Sequence, residues 1–231
     1  GVLSAPAGST VINPITTLVE YLVRSGQAGN VEAAAETIRQ ALNLPEGVNP
    51  TSYDPLAVLQ DTNATAADRA QAVSVQATAM QVANIIAQAA SGMDAATPLS
   101  LSQAADAVIA AIANTMAENE ANGTTTDITN QNFITGVITD AIVASTGVAA
   151  ADLSPEATAI IAQVAQITAE SNTTFQAAAQ NADPDVALAE LSQIANVASD
   201  SSAAIAEAFT SGVPISSDSL DSVVDTFTGD N

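Results

Sequence analysis

Two stretches of this chain carry oxygen-bearing side chains at a spacing that could hold a cation. Glu118, Glu120 and Asn122 alternate ahead of Gly123, which is how a twelve-residue calcium loop opens. Such a loop closes on a bidentate acid at its last position, which here is Thr129, so the match fails. Asn181, Asp183 and Asp185 alternate in the same way, but Val186 stands where the loop needs glycine. Helix punctuation accounts for both stretches better. The first reads as a terminator and turn, the second as an N-cap with acids favouring a helix N-terminus. Weak calcium binding elsewhere on the acidic surface is the stronger expectation, and calcium is the one metal that suits an all-oxygen ligand supply.

Most other chemistry is excluded by residue type. The chain has no histidine, cysteine, lysine or tryptophan. That removes the common general base, thiol nucleophiles, Schiff-base lysines, zinc ligand sets and a Ser-His-Asp triad. No phosphate-cradling glycine loop with its lysine is present. Paired carboxylates, as in glycosidases, are what remains. Such enzymes also use aromatic sugar platforms, and two tyrosines and four phenylalanines supply few. The sequence therefore predicts a non-catalytic protein without a cofactor, and it nominates no catalytic, cofactor-binding or metal-binding residue. Asn63-Ala64-Thr65, Asn122-Gly123-Thr124 and Asn172-Thr173-Thr174 fit the N-glycosylation pattern. Chance matches are expected in a chain rich in Asn and Thr, and the third falls inside a predicted helix.

Charge narrows the partners. There are 25 acidic residues against Arg24, Arg39 and Arg69, a formal net charge of −22 over 231 residues. Nucleic acid and anionic lipid need clustered Lys and Arg, so both are excluded as partners. Without a run of roughly 18 apolar residues, membrane insertion is not expected either. The acids are dispersed, which describes a solvated surface that repels itself and gains from salt. The chain starts at Gly1 without a methionine, and reads as a processed chain or a piece of something longer.

These residues sit on an unusually legible series of helix signals. Asn13-Pro14, Asp54-Pro55, Ser154-Pro155 and Asp183-Pro184 each place a cap before a proline at the first helical position. Behind them run apolar residues at helical spacing: Ile15, Leu18, Val19 and Leu22; Ile160, Ile161, Val164 and Ile167; Leu188, Leu191, Ala195, Ala198, Ile205 and Phe209. Asn30 starts a helix through Leu42, and Pro45 to Tyr53 form a loop. Asn63 or Thr65 starts a long helix ending near Gly92, with Val73, Met80, Ile85 and Ile86 on its face. Ser100 with Gln103 makes a capping-box pattern ahead of Leu101, Ala105, Val108, Ile112 and Met116. Another helix is predicted from about Thr129 to Ser145, with Ile134, Val137, Ile138, Ala141 and Ile142 as its stripe. Gly212 and Pro214 end the penultimate helix, and a last short one spans Asp218 to Phe227.

The sum is an all-α protein, a multi-helix bundle of eight or nine helices. It forms one acidic helical domain over 13–231, with a candidate sub-boundary near 147–154. Residues 1–12 read as an extended N-terminal arm or linker, with a β-leaning stretch at Ser9-Thr10-Val11-Ile12. With 48% hydrophobic residues, many of them alanine, the core should be thin, letting helices approach closely.

The segment Ala5-Pro6-Ala7-Gly8-Ser9-Thr10-Val11-Ile12-Asn13-Pro14-Ile15-Thr16-Thr17-Leu18-Val19 resembles the start of alanine-rich helical regions in giant bacterial surface proteins of the RTX or cadherin/Ig-like adhesin type. Tyr53-Asp54-Pro55-Leu56 and the helix from Ile160 to Ala169 are similar in style. The resemblance is specific over about twenty residues and compositional beyond them. It implies export, an extracellular or cell-surface location, a multi-domain parent and a role in adhesion or matrix. Partners would then be neighbouring domains of a longer chain or copies of the chain itself. A self-assembling filament, sheath or surface-layer subunit that uses residues 1–12 to join its neighbours is the alternative. A module binding glycan, peptide or ice is a third class, and a two-carboxylate enzyme comes last.

Overall fold

The computed structural model describes residues 3–228. Among them are nine α-helices, one short 3-10 turn at Ala150–Asp152, and no strand. The helices are α1 (Pro14–Arg24), α2 (Val31–Ala41), α3 (Pro55–Gln60), α4 (Ala66–Ala96), α5 (Leu101–Ala121), α6 (Gln131–Thr146), α7 (Pro155–Ala178), α8 (Pro184–Ser211) and α9 (Ser217–Thr228). The all-α multi-helix bundle expected from the sequence is what forms.

Each start is fixed by a side chain that takes up an otherwise orphaned N–H. Asn13 Oδ1 accepts from Thr16 N, and Thr16 Oγ1 returns the bond by accepting from Asn13 N, both at 2.9 Å. Thr65 with Asp68 and Ser100 with Gln103 make the same reciprocal box. Asp54, Ser154 and Asp183 cap helices whose first residue is proline. Gly147 and Gly212 end α6 and α8 in the left-handed conformation that glycine tolerates best.

The long α4 is the axis of the molecule. It packs against α8, α5, α7 and α3, and along part of its length against α1. α5 also carries α1, α2 and α6, while α7 carries α6, α8 and α9. One core runs through all of these, and it is continuous across 147–154: Ile134 and Ile138 of α6 share it with Ile160 and Val164 of α7. Its largest fully buried side chains are Phe175, isoleucines, leucines and methionines. Alanines such as Ala34, Ala72, Ala104 and Ala165 are fully buried between them and let the helices close up. No helix among the described residues is long and apolar enough to cross a membrane.

Three local expectations are corrected. α4 does not end near Gly92 but continues to Ala96, because Gly92 is buried under the Phe209 ring of α8 and serves packing rather than termination. Leu101 leaves its predicted stripe and is 53% exposed at the first turn of α5. The β-leaning residues 9–12 form no strand. Instead, residues 3–12 run as irregular chain fastened to the bundle at two places. Ser4 N donates to Thr17 Oγ1 at 3.0 Å and Ser4 O accepts from Thr16 Oγ1 at 2.9 Å. Thr10 N donates to Thr51 O at 2.9 Å in the loop between α2 and α3.

Candidate functional site

Of the two loops singled out for calcium, the second spends its oxygens on the helix beside it, and the first closes as a turn. Asp183 Oδ1 accepts from Asp185 N at 2.9 Å and Val186 N at 3.4 Å, capping α8, while Asn181 Oδ1 accepts from Asp183 N. After α5, Thr124 N donates back to Asn119 O at 2.8 Å, and Asn119 Nδ2 reaches Thr126 Oγ1 at 3.1 Å. Among the described residues no three acidic side chains gather closely enough to share a cation. Of the glycosylation patterns, Asn63 and Asn122 are exposed, whereas Asn172 is wholly buried in α7.

Two of the three arginines hold parts of the fold together. Arg39 forks onto Glu36 at 2.7 and 2.8 Å and donates its third nitrogen to Leu44 O at 2.9 Å, tying α2 to the loop behind it. These bonds, with one from Gln40, hold the Glu36 carboxyl well below the ordinary carboxylate range, at about 2. The Thr65 hydroxyl and N–H lower Asp68 in the same sense. Arg69 donates to Leu59 O at 2.6 Å and pairs with Asp185 at 3.1 Å, so one side chain links α3, α4 and α8. Arg24 sits in the last turn of α1, where a cation complements the helix dipole.

The polar groups that the fold does gather lie in its interior. Gln81, Asn84 and Gln88 of α4 are 5%, 7% and 1% exposed, so three carboxamides face the core from one side of the helix. Gln81 Nε2 donates to Asn172 O at 2.7 Å. Asn84 Nδ2 donates to Ser171 Oγ at 2.6 Å and to Asn172 Oδ1 at 2.9 Å. Asn172 Nδ2 passes the network on to Ile128 O at 2.7 Å. Gln88 Nε2 donates to the Ala198 carbonyl and, at 3.0 Å, to Ser201 Oγ; its Oε1 accepts from Ser202 Oγ at 3.2 Å. The ladder thus joins α4 to α7, to α8 and to the segment before α6. Its members are amides and hydroxyls without an ionisable group, so its chemistry is positional: a slip of either partner helix would leave buried amides unpaired.

Sequence reasoning missed this ladder. Amides at i, i+3 and i+7 resemble a solvated face, and Asn172 stands out in the sequence only as part of a glycosylation pattern. The available signal is that these amides alternate with the apolar Val82, Ile85 and Ala89, which leaves no wholly polar side at the helix centre.

No family model matches the chain, and neither a curated protein nor a solved structure matches it.

Proposed function

We propose that the chain is a non-catalytic structural or adhesive module of a large bacterial extracellular surface protein, acting as a connector within it. The observation that carries this reading is the double attachment of residues 3–12 to the helical body, at Ser4 on α1 and at Thr10 on the loop before α3. A lead-in fastened in this way passes load from a preceding segment into the bundle. The amide ladder then holds α4, α7 and α8 in register under that load. The acidic surface, with 25 acids against three arginines, suits a salty exterior. The resemblance of residues 5–19 to helical regions of giant adhesins points the same way.

One observation favours the self-assembling subunit. Leu3 and Ile12 on the lead-in are 48% and 67% exposed, apolar side chains that a neighbouring copy could cover. Light scattering on the intact chain and on a Leu3→Asp/Ile12→Asp variant, with and without millimolar calcium, separates the two. The connector reading expects a monomer throughout. Polymers that disappear in the variant would replace it with the subunit reading.

A further inference from the structure

A cleft of about 450 Å³ opens between the end of α2, the first half of α4, the end of α7 and the segment 125–129. Small-ligand sites occupy about 300–1,000 Å³, so it is large enough for one or two sugar rings. Its floor includes Gln81, whose Nε2 is turned inward to the Asn172 carbonyl. A carbonyl can be met only by the amide nitrogen, so the orientation of this carboxamide is fixed and Oε1 occupies the opposite corner. That oxygen accepts no bond from the described residues. It is not sealed in either, since the one fully buried side-chain polar atom without a partner among them is Ser9 Oγ. An acceptor on a residue 5% exposed is therefore left open to the cleft.

The rim continues the pattern. The side chains of Asn43, Ser74, Thr125, Gln176 and Gln180 line the cleft and make no hydrogen bond among the described residues. Asn43 follows the C-cap of α2 in the left-handed conformation, φ 50°, that asparagine commonly takes at a helix end. Charge is scarce here although the chain carries −22. Asp127 is the one charged lining residue, and its Oδ1 is taken by Thr129 N at 2.9 Å and Thr129 Oγ1 at 2.6 Å. With no basic group in the lining and an acidic field around it, the cleft rejects anions. Amides and hydroxyls offer both donors and acceptors, and the floor asks for a donor. Hydroxyls on a ring satisfy all three demands, whereas a peptide would bring apolar side chains to walls that are mostly polar.

We propose that this cleft binds a small uncharged saccharide, held by hydrogen bonds from the rim amides and by one of its hydroxyls donating to Gln81 Oε1. No aromatic residue lines the cleft, so ring stacking contributes nothing and binding is weak. The site stands apart from the lead-in, and its failure would leave the connector reading untouched.

Saturation-transfer NMR with a panel of neutral hexoses and disaccharides, and with glucuronate as the anionic control, tests it on the whole chain. Ser74→Trp covers the cleft from an exposed position on α4, and Ser192→Trp places the same ring on an exposed site of α8 outside it. Gln176→Ala/Gln180→Ala removes rim amides without touching the core. The expected result is transfer to at least one neutral sugar, none to glucuronate, loss in Ser74→Trp, reduction in the double alanine variant and retention in Ser192→Trp. Absence of transfer to every neutral sugar overturns the proposal, as does transfer that survives both cleft variants.

Discussion

The ring of Phe209 on α8 lies so close over Gly92 on α4 that a Cβ at residue 92 would sit 2.5 Å from its Cε2. Two long helices meet at this point, and the missing side chain is what lets the ring in. Gly92→Ala gains about 1 kcal/mol of helix propensity, against about 1–3 kcal/mol for forcing an extra methyl into a packed contact. The ring is half-buried against the core and must shift to admit the methyl, so a net loss of about 1 kcal/mol is expected by urea denaturation. Adding Phe209→Leu to Gly92→Ala should recover part of that loss, and a purely additive cycle would show that the two do not touch.

Asn172 is the junction of the buried ladder, with bonds to Asn84, Ile128 and Gln81. Asn172→Ala leaves the Ile128 carbonyl and an Asn84 proton without partners in a dry interior. The expected cost is about 2–4 kcal/mol, combining unpaired polar groups with a small cavity. Ser202→Ala, which removes one bond at the half-exposed end of the ladder, should cost no more than about 1 kcal/mol. Denaturant midpoints of the two variants check the ranking, and equal losses would mean that the ladder does not act as a unit.

The two sites differ in how far the sequence discloses them. Caps are local, so Asn13-Pro14, Ser154-Pro155 and Asp183-Pro184 announce their helices within four residues, and the structure starts α1, α7 and α8 there. Gly92 misleads because glycine is a common helix terminator, and only the arrival of Phe209 from over a hundred residues away gives it another use. Gln81, Asn84 and Gln88 are hidden for the same reason: helical spacing shows that they share a side, while burial depends on where α7 and α8 come to lie. The Gln81 oxygen in the cleft is one step further removed, since it depends on which atom of a buried amide is already taken.

Acid should weaken the fold through two carboxylates whose folded-state values are lowered, Glu36 and Asp68. The Glu36 carboxyl is lowered from 4.5 to about 2 by Arg39 and Gln40, so its contribution is full above about 4.5 and is lost as the pH falls toward 2. Asp68, lowered by Thr65, follows with the same sign. A melting temperature followed from pH 7 to 2 should therefore fall on the acid side, below about 4.5. In Glu36→Gln/Asp68→Asn the acid-side fall should be shallower, and an unchanged slope would remove these two groups from the account.

The fastening of the lead-in can be cut without disturbing the core. Thr16 and Thr17 are 0% and 4% exposed, and their hydroxyls hold both backbone groups of Ser4. Valine keeps the shape of each and removes the hydroxyl, leaving Ser4 N–H and C=O to find water. In Thr16→Val/Thr17→Val the capping box of α1 is lost as well, for a total of about 1–3 kcal/mol. The more telling readout is local. Amide exchange at Ser4 and proteolysis within residues 3–12 should accelerate, because the segment keeps only its Thr10 attachment. Protection along α4 and α7 should stay near that of the parent, since the amide ladder lies elsewhere. If the lead-in of the double variant exchanges no faster than before, the threonine bonds are not what holds it, and the buried Pro6 becomes the anchor to test.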